Sequence, residues 1–244
     1  MGIHIAFTDA EALIERCDVA GVRLTADEPG WEDGSVVPLD DWRPLTAQQA
    51  AELRADATTD PNTVVEIVEV PIDRAAAHAI MPVTAGDFDP FAGRHDADFL
   101  GYLDQDPGLR TGTIDESQNL RIGIHLDNFD KLSFAERTTG RRRLGVNFGL
   151  GTRHLLLATI DVLDVCLAND PNRPSQYPHT DDLRRYVRDG HPLTVLRIRL
   201  DPGQGYIAPT ELVPHDGSTL TATTPSRIAF WLGHWPVGTL PRIV

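Results

Sequence analysis

A short alternating stretch near the middle of the chain constrains the fold most strongly. From residue 120 to residue 127 the sequence reads LRIGIHLD, so every second side chain is apolar. A period of two predicts a β-strand with two unlike faces. Further short β-rich segments follow, each bounded by Gly, Pro or Asp: RRRLGVNFGLG, HLLLATIDVLDVC, PLTVLRIRLDPGQGYIAP and SRIAFWLGHW. We therefore expect a mainly β fold, an antiparallel barrel or jelly roll, in the C-terminal two thirds of the chain.

Helices are expected ahead of these strands. Asp9 is placed to cap a short helix that runs through Cys17, and Thr46 is placed to cap the helix TAQQAAELRADA. A weak strand pattern lies at residues 19–24, a stronger one at 64–71, and a short helix is predicted at 73–80. The N-terminal part should therefore act as a helical buttress for the β core.

The chain is expected to form a single domain spanning residues 1–244, because its 244 residues suit one domain or at most two. Residues 1–60 are predicted to form an N-terminal cap, and residues 64–240 the β core. Within that core, residues 82–119 are rich in Gly, Asp and Pro and show few strong patterns. A long segment of this kind inside a compact domain is typical of a functional lid.

His125 and Asp127 are the first candidate metal ligands. They lie two residues apart on the alternating strand, so their side chains point the same way. One imidazole and one carboxylate supply two of the three ligands of a 2-His-1-carboxylate iron site. The third ligand must be a distant histidine, and His215 is preferred because it follows a predicted strand and precedes a turn, DGST. His234 and His191 stay open as alternatives.

Arg227 is a candidate anion-binding residue. It opens the apolar strand RIAFWLGHW, where an unpaired buried charge would be costly. A guanidinium binds a carboxylate through two parallel hydrogen bonds. The alternative is a salt bridge between Arg227 and one of the many acidic residues of the chain.

The HxD motif at 125–127, the distal His215 and Arg227 about a dozen residues later together resemble the iron(II)/2-oxoglutarate-dependent oxygenases. The resemblance covers roughly residues 64–240. It implies a cupin-like jelly roll called the double-stranded β-helix, with Fe(II) held by the two histidines and the acid. It also implies 2-oxoglutarate and O2 as co-substrates, with Arg227 on the distal carboxylate of 2-oxoglutarate. The implied reaction is hydroxylation, or another oxidation, of an unactivated C–H bond, with decarboxylation of 2-oxoglutarate to succinate.

Further residues are candidates for contacts inside such a site. Asn147 shares a strand face with Arg143 and is a candidate contact to 2-oxoglutarate, the alternative being a strand-edge hydrogen bond. Arg143, Tyr206, Thr210 and Trp231 are candidates for substrate binding, although Trp231 also suits a hydrophobic core. The substrate itself is not specified by the sequence; a small polar metabolite such as a free amino acid fits better than a polymer.

The composition excludes some partners. The formal net charge of −14 argues against nucleic acid and anionic membranes, because both are polyanions. No apolar run approaches the roughly 20 residues that a membrane span needs. The N-terminal segment lacks a basic region, so a cytoplasmic protein is expected, with Cys17 and Cys166 as reduced thiols. Oligomeric state is left open.

Two other classes of function are compatible with the same residues. One is a cupin-type metalloenzyme that does not use 2-oxoglutarate, although cupins usually carry closely spaced His-x-His pairs. The other is a non-catalytic β-barrel binding module in which His125 and Asp127 are structural. Among oxygenases, Asp127 favours hydroxylation, desaturation or ring formation, because halogenating relatives have Gly or Ala in place of the acid.

Overall fold

β-strands make up most of the secondary structure, as the sequence predicts. The computed structural model describes residues 2–70, 88–172 and 174–244. In these ranges the strands are β1 His4–Ala6, β2 Cys17–Leu24, β3 Trp31–Pro38, β4 Arg43–Pro44, β5 Val64–Glu69, β6 Asp98–Gln105, β7 Ile114–Asp115, β8 Leu120–Gly123, β9 Arg142–Asn147, β10 Arg153–Ala158, β11 Thr194–Leu200, β12 Gln204–Ala208, β13 His215–Ser218 and β14 Ser226–Gly233. The α-helices are α1 Ala10–Ile14, α2 Ala47–Glu52, α3 Val162–Asn169 and α4 Thr180–Arg188, and 3-10 turns lie at Pro61–Thr63 and Phe134–Thr139. None of the helices in the described ranges combines the length and apolar character that a membrane span requires.

Side-chain caps explain where the two N-terminal helices begin. The Asp9 carboxylate accepts the backbone N–H groups of Glu11 and Ala12 at the start of α1. Thr46 and Gln49 form a reciprocal capping box at the start of α2. Both predicted helices are confirmed. However, both helices end sooner than predicted: α1 ends at Ile14, because the residues that follow it enter strand β2, and α2 ends at Glu52.

The strands of the described residues form two curled sheets. The first has the order β1-β5-β12-β9-β14-β6, and the second has the order β13-β10-β11-β2-β3-β8-β7, with β4 paired to β2. Most neighbouring strands are antiparallel; β1 with β5 and β3 with β8 are parallel. The mainly β prediction is confirmed in this coarse form.

The N-terminal 60 residues contribute more than a helical cap. Strand β1 lies in the first sheet, and β2 and β3 lie inside the second sheet, between β11 and β8. The described part of the predicted lid also contains a long strand, because β6 pairs along β14 at the edge of the first sheet. The helix predicted at residues 73–80 lies outside the described residues, as do residues 82–87 of the lid.

Because side chains alternate along each strand, the apolar residues of the two sheets fall into three clusters. On β10, Leu155 and Leu157 pack between the two sheets, whereas Leu156 and Ala158 pack under α3 and α4 on the outer face of the second sheet. A further cluster covers the outer face of the first sheet and includes Trp231. Both faces of each sheet are therefore covered, and the cavity described below lies between the sheets.

Candidate metal centre

His125 and His215 face each other across a backbone pairing. The His125 N–H donates to the His215 carbonyl at 3.0 Å, and the His215 N–H donates to the His125 carbonyl at 2.8 Å. Strand β8 ends at Gly123, so His125 lies just beyond the regular strand, and His215 is the first residue of β13. The two ring centroids are 4.8 Å apart. This pairing brings together two histidines that are distant in sequence.

Asp127 completes the group. Its backbone N–H donates to the Thr210 carbonyl at 3.1 Å, which holds the chain next to His215. Its carboxylate lies 3.8 Å from His125 Nε2 through Oδ1 and 3.6 Å from His215 Nε2 through Oδ2. One ligand atom from each of these three side chains lies within 4.8 Å of the others. The structure thus brings together the three residues that the sequence predicts as ligands.

The histidine tautomers suit metal binding. His125 Nδ1 lies 2.9 Å from the Gly123 carbonyl oxygen, and His215 Nδ1 lies 3.0 Å from the Val213 carbonyl oxygen. A carbonyl can only accept, so each Nδ1 carries a proton, and Nε2 is the ring nitrogen left to face the centre. Metal-binding histidines are commonly fixed in this way by a carbonyl behind the ring. Burial, followed by the nearby Arg143, lowers the pKa of His215 well below its ordinary value, so this imidazole is neutral.

The spacing of the three side chains also fits a small metal ion. Adjacent ligand atoms around an octahedral ion with metal–ligand distances near 2.1 Å are on the order of 3 Å apart. The Asp127-to-histidine distances of 3.6 and 3.8 Å exceed this by less than an ångström. The three ligand atoms, which lie within 4.8 Å of one another, would have to move closer together to coordinate one ion. The donor set of two imidazoles and one carboxylate suits ferrous iron.

Arg143 lies directly against this centre. Its Nη1 is 2.8 Å from Asp127 Oδ2, and its Nη2 donates to the Tyr206 hydroxyl at 3.0 Å and closely approaches His215 Nε2. Burial raises the pKa of Asp127, but its polar surroundings, above all the Arg143 guanidinium, hold that pKa below its ordinary value. Arg143 therefore keeps Asp127 ionised, and it must withdraw from His215 Nε2 before an ion can bind there.

The centre opens into a cavity of about 150 Å³ between the two sheets. The first sheet contributes Gln105 from β6, Arg143 from β9 and Tyr206 from β12; the second sheet contributes Arg153 from β10 and Asp216 from β13. Two of the predicted substrate-binding residues, Arg143 and Tyr206, thus line the cavity. The cavity wall combines polar side chains with apolar ones such as Leu155 and Ile228, a combination typical of small-molecule sites.

Arg153 is the cationic side chain that the sequence analysis missed. It is 2% exposed, and its guanidinium donates to Gln105 Oε1 at 2.8 Å and to the Ser226 hydroxyl at 3.2 Å. Both partners are neutral, and Arg153 makes no ion pair within the described part of the chain. Burial lowers the pKa of Arg153 to about 10, which leaves it protonated at neutral pH. A buried guanidinium without a carboxylate partner is poised to bind an anion.

Arg227 does not reach this cavity, contrary to the sequence expectation. Its side chain lies on the outer face of β14 and forms a two-pronged ion pair with Asp104 on β6, at 2.6 and 2.7 Å. Strand alternation is the reason: Ile228 and Phe230 point into the cavity, whereas Arg227 and Trp231 point away from it. The salt bridge considered as the alternative is therefore what the structure contains.

Asn147, Thr210 and Trp231 are also outside the cavity. The Asn147 amide donates to the Gly151 and Leu200 carbonyls at 2.9 and 3.0 Å, and its oxygen accepts the Gly149 N–H at 2.9 Å. These bonds use its polar atoms to hold the turn between β9 and β10. Thr210 acts through its carbonyl, which positions Asp127, and Trp231 packs among aromatic residues on the outer face.

One sequence signal could have identified Arg153. It opens the strand RHLLLA, where it shares a face with Leu155 and Leu157, so the argument that an unpaired buried charge is costly applies to Arg153 as it does to Arg227.

Asp216 directly follows the predicted ligand His215, and no sequence pattern marked it separately. Its carboxylate is 2% exposed, and burial raises its pKa.

Comparisons with known proteins add no assignment to this geometry. No protein-family model matches the sequence, and a search of curated proteins finds no match. Functional conclusions therefore depend on the arrangement of the residues themselves.

Proposed function

We propose that this chain is an Fe(II)- and 2-oxoglutarate-dependent oxygenase that hydroxylates a small molecule on a jelly-roll scaffold of the double-stranded β-helix type. The observation that carries the proposal is the convergence of His125, Asp127 and His215, whose ligand atoms all lie within 4.8 Å of one another. Three protein ligands of this kind leave room around an octahedral ion for a co-substrate and O2. Ferrous iron bound there would supply the capacity to activate O2 for C–H oxidation.

Arg153 supports the involvement of 2-oxoglutarate. The co-substrate is a dicarboxylate, and one of its carboxylates needs a partner away from the metal. Arg153 lines the same cavity as the metal centre and has only Gln105 and Ser226 as partners. We therefore assign to Arg153 the anchoring role that the sequence resemblance implied for Arg227.

The remaining cavity residues orient the reactants and exclude water. Arg143 and Tyr206 form a hydrogen-bonded pair that holds the Asp127 carboxylate in its ionised form. The apolar side chains of Leu155 and Ile228 form part of the wall. A site that excludes bulk water strengthens the electrostatic interactions within it and limits side reactions.

One observation favours a second candidate function. Arg143 lies 2.8 Å from Asp127 Oδ2 and closely approaches His215 Nε2, so two of the candidate ligands also have a protein partner. The same cluster is therefore compatible with a non-catalytic β domain that binds a small anion through Arg153. Metal binding separates the two proposals, because the second one requires none.

Titration with Fe(II) under anaerobic conditions tests the proposed function. Wild-type protein should bind about one equivalent of Fe(II) and, on addition of 2-oxoglutarate, develop a weak visible charge-transfer band. His215→Ala should abolish both, because it removes one of three ligands, whereas the exposed His234→Ala is the matched control and should retain them. Succinate formation across a panel of amino acids and other metabolites then reports turnover. Unchanged Fe(II) binding by His215→Ala would show that this histidine is not a ligand.

A further inference from the structure

Asp216 presents a carboxylate oxygen that the fold leaves unsatisfied. Its Oδ1 accepts the N–H groups of Gly112, Thr113 and Gly217 at 3.3, 3.2 and 2.6 Å, and the Thr113 hydroxyl at 2.9 Å. Its Oδ2 is buried and has no hydrogen-bond partner among the residues that the structure describes. Oδ1 thus holds the 112–113 segment against β13. This structural role explains the hydrogen bonds of Oδ1 but not why Oδ2 is buried without a partner.

The residue that carries this oxygen borders the cavity. Asp216 lines the cavity together with His125 and Asp127 of the metal centre. A buried carboxylate oxygen that makes no hydrogen bond costs free energy, and a ligand that supplies the missing donor recovers that cost. The missing partner of Oδ2 is a hydrogen-bond donor, and an amine of a bound ligand supplies one.

The distribution of charge around the cavity leaves Asp216 as its unpaired acid. Arg143 lies 2.8 Å from Asp127, so these two charges compensate each other. Arg153 is left for the carboxylate of 2-oxoglutarate under the function proposed above. Asp216 forms no ion pair with either arginine within the described ranges, although all of these side chains line one cavity.

We propose that Asp216 Oδ2 binds a protonated amine of the prime substrate, so that the substrate is a small molecule carrying an ammonium group. This inference rests on the proposed oxygenase function in so far as the amine belongs to the molecule being oxidised. The cavity volume of about 150 Å³ is well below the roughly 300–1,000 Å³ of sites for drug-sized ligands. Under the proposed function this space is shared with 2-oxoglutarate, so it favours a compact amine such as a free amino acid over a polymer.

Binding of matched ligand pairs tests the proposal. The probes are free amino acids and their Nα-acetyl derivatives, which lack the ammonium charge. Titration calorimetry is carried out on metal-free protein and, anaerobically, on protein with Fe(II) and 2-oxoglutarate. At least one free amino acid should bind wild-type protein about 10- to 150-fold more tightly than its acetyl derivative, the range of a charge-assisted hydrogen bond.

Asp216→Asn should remove most of that ratio. Asparagine keeps an Oδ1 acceptor for Gly112 and Thr113, so the structural role is preserved while the charge is lost. Asp104→Asn is the matched control, because Asp104 pairs with Arg227 outside the cavity, and it should leave the ratio unchanged.

Three results would overturn the proposal: equal binding of free and acetylated ligands, no amine-dependent binding at millimolar concentrations, or an unchanged ratio in folded Asp216→Asn. The wild-type comparison requires no variant, so a poorly folded variant does not prevent the test. Failure of wild-type protein to bind Fe(II) would instead refute the oxygenase function, and the amine ratio of the metal-free protein would still report on Asp216.

Discussion

Buried arginines occupy two different kinds of environment in this molecule. At one end of the fold, Arg142 donates to Glu66 at 3.0 Å and Arg137 donates to Glu211 at 2.8 Å, each within a fully buried ion pair. In the cavity, Arg153 is equally buried but has neutral partners. Arg142 and Arg137 each have a buried carboxylate partner, whereas Arg153 forms no ion pair within the described residues. This difference supports the proposed role of Arg153 in ligand binding.

The same contrast applies to the acids. Glu66 is satisfied through both oxygens, since Oε1 accepts the Gly238 N–H at 2.6 Å and Oε2 accepts Arg142. Asp216 is satisfied through one oxygen only. Substitutions in the paired region should therefore reduce stability, whereas substitutions in the cavity should reduce ligand binding with little loss of stability.

The largest effect on stability is expected for Glu66→Gln. This change leaves the Arg142 guanidinium buried without its counter-charge, and removing one partner of a buried ion pair costs about 3–5 kcal/mol. Denaturant unfolding at neutral pH should show this decrease in the free energy of unfolding. Affinity for 2-oxoglutarate should be unchanged while the variant is folded. A loss below 1 kcal/mol would mean that the buried pair is not a structural element.

Arg153→Met should show the opposite pattern. The change removes a buried charge that has no carboxylate partner, so the free energy of unfolding should change by no more than about 1 kcal/mol in either direction. A carboxylate contact to a guanidinium contributes roughly 1.5–3 kcal/mol, so the Kd for 2-oxoglutarate should rise about 10- to 150-fold. Anaerobic titration of the Fe(II)-loaded protein measures that Kd, and Fe(II) affinity serves as the internal control. An unchanged Kd would exclude Arg153 as the anchor.

The sequence predicted the three candidate ligands from the local pattern around each of them. His125 and Asp127 are fixed by their spacing, and His215 is marked by the strand and turn around it. What the sequence does not contain is the backbone pairing between His125 and His215, which depends on sheet register. The mainly β fold followed from alternation, whereas the incorporation of β2 and β3 into the second sheet depends on long-range pairing.

The choice between Arg227 and Arg153 shows a physical limit of strand periodicity. Alternation correctly placed Arg227 and Trp231 on one face of β14. It could not show which face borders the cavity, because apolar clusters cover both faces of the first sheet. Only the packing of the two sheets distinguishes the inner face from the outer one.

The smallest effects are expected for Arg227→Met. Its ion pair with Asp104 is partly exposed, with 28% of the arginine side chain and 64% of the aspartate side chain accessible to solvent. Exposed pairs contribute about 0–1 kcal/mol, and this one lies outside the cavity, so neither the Kd for 2-oxoglutarate nor Fe(II) binding should change.

The pH dependence of that small contribution provides a further check. Hydrogen bonding from Arg227 lowers the pKa of Asp104 in the folded protein. A lowered carboxyl pKa contributes stability above the ordinary aspartate pKa, and this contribution is lost as pH falls toward the folded-state pKa. The difference in free energy of unfolding between wild type and Arg227→Met should therefore be present at pH 7 and shrink on acidification toward pH values of about 3. The Kd for 2-oxoglutarate at pH 7 distinguishes the two arginines. If this Kd rose in Arg227→Met and stayed unchanged in Arg153→Met, Arg227 rather than Arg153 would be the anchor of 2-oxoglutarate.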